Sequence, residues 1–493
     1  MNSVRSVVNV LAAAREEVGD WRHSEQHAAE ITQKEEDFIC FSGFSVRTRF
    51  LAPWSPSKGF FSVPSVLSLF RVRLQEACSQ ICDRKNGAVR YDIQSMRLRT
   101  SVLFGVLFTL AVSVCALAAA AQESSGQDFG ADARLLYRVA ACGGNEALPA
   151  NLDAKVIEKH CRMLQPQMEA YRRLYLARAQ PFFAKVDPPN LPARVVYPFG
   201  GGDLLSALTT YPEAQEITTL SLELAGDPRR LRTLDKKRLD DSLVFIRKTI
   251  VWLLAANDST STTMQATQRG DLPGQLTFFL VGLAVHGYEP VSLRFFRIER
   301  DGSLHYFSAE EIKGMEKKLA QARHGQWTPP DFSEAFANSE LTFRKLGAGP
   351  NAPLRVHRHI AANLRDDYLR RTSPVLTYLE HQGRVAAMTK AASYCLWNPA
   401  FSRMRKYLLA NMDFMISDST GIPPEWAGKA GFTQVTYGSF QGSFLDASKD
   451  YNDQFRALWA GQPHRRLPFR YGYVDSAKSV HLLVTQRAKP NSR

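Results

Sequence analysis

Asp203, Glu223, Asp418 and Ser419 have the types and positions in this chain that could do chemistry. Each follows an apolar stretch that reads as a β-strand. In α/β sheets, residues at the carboxyl ends of strands converge on one crevice. Carboxylates gathered there could act as acid and base, or hold a divalent cation through oxygen ligands. Singly, Asp203 and Asp418 read as helix or turn caps, and Glu223 as the partner of a basic neighbour. Capping is a less comfortable account of all three together. Lys390 and the tyrosines Tyr197, Tyr394, Tyr437 and Tyr471 could line the same crevice and contact a polar ligand.

The glycine turn Phe199-Gly200-Gly201-Gly202-Asp203 offers a second chemistry. Gly201 and Gly202 could point backbone N–H groups at an anion. Against this, Asp203 puts a negative charge where a phosphate would sit, and no Walker lysine follows. The favoured reading is a sharp turn with Asp203 capping the next helix. The strand–turn–helix–strand pattern also imitates a dinucleotide fold, but Leu205 stands where the third glycine should be. Lys390 and Ser393 reverse the S-x-x-K motif, and on a strand they would face opposite sides. His357 and His359 would share a strand face, which could be part of a metal site. A solvated face beside Arg355 and Arg358 is the commoner arrangement.

The elements that must position these groups alternate. Helical periodicity runs over 132–142 and 153–187. A βαβ unit follows: strand 193–198, helix 204–210, strand 216–223. A charged helix spans 228–255, and an apolar helix 266–287 is broken at 270–273. Hairpins are expected at 291–307, about Asp301-Gly302, and at 341–360. A second βαβ-like unit has strand 384–393, helix 401–409 and strand 414–417. Segments 437–444, 469–474 and 480–485 read as closing strands. The pattern argues for a mixed sheet with flanking helices, an α/β sandwich preceded by an N-terminal helical segment (122–190). The α/β part, 191–493, could comprise two halves, 191–323 and 336–493.

Residues 96–121 bound the problem from the other end. Arg97 and Arg99, an apolar run and Ala-rich cleavage sites make a secretory signal nearly a hundred residues into the chain. Met96 could be the true start, with 1–95 as non-native upstream or disordered sequence. Alternatively the segment is a membrane anchor. The small residues at its end favour cleavage, and uncleaved it would be the chain's only membrane contact. Cleavage after Ala121 leaves 372 of the 493 residues. The whole chain is +14, and about +11 of that stays in this part. Its basic residues are interleaved with acids, which argues for solvated helix faces and against nucleic acid.

Of seven cysteines, Cys40, Cys78, Cys82 and Cys115 precede the cut. Cys142 and Cys161 are the natural disulfide in an oxidising compartment. Cys395, in an apolar context, reads as a buried thiol.

Four blocks then suggest a relationship. Residues 197–203 (YPFGGGD), 390–394 (KAASY), 418–423 (DSTGIP) and 467–473 (LPFRYGY) resemble matching blocks of secreted and periplasmic bacterial proteins of unassigned activity. The resemblance implies a shared fold and an envelope address, and supplies no catalytic residue. The reading is a secreted or periplasmic protein, taken first as an envelope hydrolase or transferase with a carboxylate-lined crevice. The alternatives are a non-catalytic binder of a polar ligand and a structural envelope component. No nucleotide cofactor is expected outside the cytoplasm, whereas a divalent cation would fit the carboxylates.

Overall fold

Three successive short-range signals start the sheet. The apolar run of β1 (Arg194–Pro198) stops at a glycine turn. Asp203 accepts from Ser206 N and so caps α4 (Leu204–Thr210), and β2 (Glu216–Ser221) returns parallel to β1. In this computed structural model, residues 126–256, 271–322, 334–370, 373–442, 449–472 and 480–488 are described. The segments 1–95 and 96–121, with Cys40, Cys78, Cys82 and Cys115, lie outside them.

Before β1 come α1 (Gly130–Ala140), α2 (Ala154–Tyr171) and α3 (Ala177–Val186), with a π-helical turn, Arg172–Leu176, joining the last two. After β2 come α5 (Lys236–Ala256), α6 (Gly274–His286), β3 (Tyr288–Ile298), β4 (Leu304–Tyr306), α7 (Ala309–Ala322), β5 (Asn338–Lys345) and β6 (Arg355–Ala361). The last part has α8 (Pro374–His381), β7 (Val385–Thr389), α9 (Ser402–Asn411), β8 (Met412–Ser417), α10 (Pro424–Lys429), β9 (Phe432–Gly438), α11 (Lys449–Ala460) and β10 (His481–Arg487).

The ten strands among the described residues form one mixed sheet in the order β4-β3-β5-β6-β2-β1-β7-β8-β10-β9. Strands β6, β2, β1, β7 and β8 are parallel, and antiparallel pairs close both edges. This is the expected α/β sandwich. Strands of 191–323 and 336–493 interleave, since β7 pairs with β1 and β6 with β2.

Two helical layers cover the sheet. One core holds Leu136, Leu164, Leu205, Leu208 and Phe279 against Val195 and Tyr197 of β1. The other holds Tyr378, Met404 and Leu408 against Val196 and Ala387. Alternate residues of β1 therefore face opposite layers, as strand geometry requires. Helix α6 is buried from Gly274 to Val285, which explains its lack of a polar face.

Several segments differ from the sequence expectation. The charged helix 228–255 is a 3-10 turn, Pro228–Thr233, followed by α5, because Leu234 leaves the helical conformation. The expected strand 384–393 ends at Thr389, where the backbone turns left-handed at Ala391, Ser393 and Tyr394. The expected strand 437–444 ends at Gly438; it begins earlier, at Phe432. Residues 469–472 are not a strand, and 473–474 lie outside the described residues, as do 266–270. Helices α8, α10 and α11 were not expected.

Cys142 and Cys161 form a disulfide that ties the end of α1 to α2. Cys395 is not in a disulfide and is half-buried, not fully buried. Among the described residues no helix is long and apolar enough to cross a membrane. Cross-linking residues 19 apart constrains the unfolded chain by about 3 kcal/mol. Chemical denaturation of the Cys142→Ser/Cys161→Ser variant should show a loss of roughly 2–4 kcal/mol, with reduction of the wild type giving the same loss.

Candidate functional site

The connections leaving β1 and β7 run in opposite directions across the sheet. From β1 the chain passes through α4 to β2, and from β7 through α9 to β8. Helix α4 packs in one layer and α9 in the other. The carboxyl ends of β1 and β7 therefore flank the point where strand order reverses, the place where α/β sheets open a crevice.

A buried ion pair spans that point. Lys390 Nζ lies 2.8 Å from Asp203 Oδ2, and both side chains have zero exposure. Tyr197 OH donates to the same oxygen at 3.1 Å, and Lys390 also donates to Ser206 Oγ at 2.5 Å. The second acid sits one strand further on. Asp418 Oδ2 accepts from Ala391 N at 2.9 Å, while Oδ1 accepts from Thr420 N at 2.9 Å and from the Thr420 hydroxyl. Gly472 packs so closely on Asp418 that a Cβ there would lie 2.0 Å from Oδ2; its φ of +68° also favours glycine.

The structure thus brings Asp203, Lys390, Asp418, Tyr197 and Tyr471 together at one edge. Burial raises the Tyr197 and Tyr471 hydroxyl pKa values well above the usual tyrosine value, and both acids push the same way. Lys390 bonds Ser206, not Ser393, because β7 has already ended. Gly201 has φ +51° in the β1 turn, and Phe199, two residues before it, has φ +62°. Left-handed non-glycine residues cost about 1–3 kcal/mol each and persist where surroundings over-determine them. Phe199, Ala391, Ser393 and Tyr394 all lie in the two turns that Asp203, Lys390 and Asp418 tie down.

Other candidates sit differently. Glu223 is buried at the end of β2. Burial raises its pKa, and Ser221 is the neighbouring side chain that lowers it, so the expected basic partner is not what acts on it. Ser419 is buried; its carbonyl accepts from Tyr451 OH. Tyr394 packs edge-on against Tyr451 in a small core with Phe440 and Phe455. Tyr437 is half-buried on β9, two strands beyond β8, against Phe182.

The histidine pair is a correction. His357 and His359 are fully buried on β6, which has β2 on one side and β5 on the other, and do not form a solvated face. His359 Nε2 donates to Glu223 O at 2.7 Å, so its Nδ1 accepts from Thr219 Oγ1 at 3.1 Å. Thr219 Oγ1 then accepts from His357 Nε2 at 3.0 Å. Both rings are neutral in this chain of bonds. Among the described residues, no cluster of three or more His, Cys, Asp or Glu could hold a metal ion.

Sequence reasoning missed Ser206 and Gln275. Gln275 opens α6, is fully buried, and lies on Gly202, where a Cβ would come within 2.2 Å of Oε1. Its Oε1 and Nε2 have no hydrogen-bond partner, and neither do Thr389 Oγ1, Ser417 Oγ and Ser419 Oγ. The surface pocket of about 280 Å³ beside Cys142 and Arg172 and that of about 450 Å³ beside Arg194 and Arg384 lie away from this cluster. No family model matches the chain, and no curated protein matches it.

Two predictions follow from this geometry. Lys390→Met leaves Asp203 charged and buried, and urea denaturation should show a loss of about 3–5 kcal/mol. Asp203→Asn/Lys390→Met should recover part of that loss. Burial holds the His359 pKa at about 4 and that of His357 well below 6.5. Their folded values lie below the unfolded one, so the stability they contribute is present above pH 6.5 and is lost as pH falls toward 4. Measured stability should drop across that window, and His359→Asn should flatten the drop.

Proposed function

We propose that this chain is an extracytoplasmic protein that binds a small polar ligand at the carboxyl ends of β1, β7 and β8. One observation carries the reading: four buried polar side chains at this edge lack partners, namely Gln275, Thr389, Ser417 and Ser419. An unpaired buried polar group costs about 1–3 kcal/mol, so a group of them calls for something to satisfy it. The switch point supplies the place. The carboxylates of Asp203 and Asp418 form its floor. Each already accepts several hydrogen bonds, which suits holding turns better than accepting a substrate proton. The Cys142–Cys161 disulfide supports an oxidising compartment, as do the signal-like segment 96–121 and the resemblance to envelope proteins.

A second reading, an envelope hydrolase or transferase, rests on the 2.5 Å contact between Ser206 Oγ and Lys390 Nζ. A hydroxyl beside an amine is a nucleophile pair in other settings. Here Asp203 also engages the same nitrogen, which favours Lys390 as a donor of hydrogen bonds over Lys390 as a base.

Thermal shift against N-acetyl sugars, short peptides, polyols and divalent cations separates these. The binding reading expects at least one probe to raise Tm, with the rise lost in Thr389→Val, which removes one orphan hydroxyl at nearly constant shape. It also expects no turnover of ester, amide or glycoside substrates. Turnover abolished by Ser206→Ala would establish the enzyme instead.

A further inference from the structure

We infer that the surface pocket between Arg194 and Arg384 is a site for a small organic oxyanion, a carboxylate or a phosphate. It lies at the amino ends of β1, β2 and β7, opposite the edge discussed above, and stands independently of that reading. A row of ion pairs crosses the sheet here, one charge per strand, in sheet order. Arg294 of β3 meets Glu340 of β5 at 2.5 Å, and Glu340 meets Arg358 of β6 at 2.8 Å. Arg358 meets Glu216 of β2 at 3.0 Å, and Glu216 meets Arg194 of β1 at 3.5 Å. From the far side, Arg487 of β10 lies 3.6 Å from Asp413 of β8, which accepts from Arg384 Nε at 3.0 Å. The signs alternate along this row except at one step. Between β1 and β7, Arg194 is followed by Arg384, and among the described residues no acid pairs with both.

The pocket opens at that step. It has a volume of about 450 Å³, and Arg194, Arg384 and Glu216 are its charged lining residues. The two arginine side chains are 48% and 44% exposed, against 17% for Arg358 between its two acids. A ligand can therefore reach both. Arg194 Nη1 donates to Gln382 O at 3.1 Å, which holds its guanidinium beside the entrance to β7. That bond uses one of its five N–H groups, and among the described residues Nη2 donates to nothing. Glu216 lies closer to Arg358 than to Arg194, so Arg194 is the less compensated of the two. Arg384 is anchored by Asp413, by Ala410 O at 2.7 Å and by Met412 O at 2.9 Å. It contributes fixed positive charge, while Arg194 contributes the fork of donors.

This arrangement selects the ligand. A guanidinium fork matches the paired oxygens of a carboxylate or phosphate. An oxyanion between the two arginines restores the alternation, whereas a cation would face both, with Glu216 already shared by Arg194 and Arg358. Leu191, Pro192 and Ala193 give the pocket an apolar side for the ligand's carbon body, and Asn190 and Gln215 add polar groups. The walls are fixed to each other, since Gln215 N and Glu216 N both donate to Ala193 O, at 2.8 and 3.2 Å. The site is thus formed before the ligand arrives, which lowers the ordering cost of binding.

The test uses the full chain, with phenyl phosphate and benzoate as probes and sodium chloride at the same ionic strength as reference. At ten times Kd, at least one probe should raise Tm by roughly 2 °C above the reference. The tighter of the two assigns the oxyanion group. Arg194→Gln should weaken that binding at least about tenfold, and Arg194→Lys, which keeps the charge but not the fork, should restore only part of it. Arg194 makes one hydrogen bond and one long ion pair, so the unliganded Arg194→Gln variant should melt close to wild type. Arg456→Gln, which removes an arginine of similar exposure on α11, should bind as wild type does. Three results would overturn the site. One is a shift no larger than that given by sodium chloride, which would mean plain screening of surface charge. Another is equal weakening in Arg194→Gln and Arg456→Gln, which would mean diffuse attraction to a basic protein. The last is full binding in Arg194→Gln.

Discussion

The ion pair between Lys390 and Asp203 holds the carboxyl edge of this sheet together. It joins the turn after β1 to the turn after β7, between which the strand order reverses. Burying two charges is costly, and their attraction repays the cost only when other hydrogen bonds complete the arrangement. Here they do. Ser206 N and Tyr197 OH complete Asp203, and Ser206 Oγ takes a second bond from Lys390. The pair thus fixes the register of two turns that sequence leaves far apart.

Asp418 extends the same logic to β8. Its carboxylate sits on the amide of Ala391, the residue after Lys390, and on Thr420. The left-handed backbone at Ala391, Ser393 and Tyr394 is unfavourable in isolation, and these bonds hold it. Three turns are therefore locked by buried acids, and what they leave over is a rim of unpaired polar atoms.

Local order was legible in the sequence. The β1–α4–β2 unit could be read because an apolar run, a glycine turn and a capping aspartate each act over a few residues. The hairpin about Gly302 was readable for the same reason. Long-range order was not. Lys390 and Ser206 are 184 residues apart, and only the pairing of β7 with β1 brings them together. The KAAS run gives no sign that the strand ends at Thr389, because Ala391 and Ser393 are ordinary residues and the carboxylate that holds Ala391 N comes from Asp418, 27 residues on. His357 and His359 looked solvated beside arginines, yet their face of β6 lies under Phe279 of the buried helix α6. Gln275 opens a helix whose whole surface is buried, and its unpaired amide shows only in three dimensions.

The central claim is that the Lys390–Asp203 pair locks the turns at the switch point. Hydrogen exchange of Lys390→Met against wild type tests this most directly. The account predicts faster exchange at Gly201–Ser206, Ala391–Tyr394 and Ser419–Gly421, with the hairpin formed by β3 and β4 unchanged. Unaltered exchange in those three turns would contradict it.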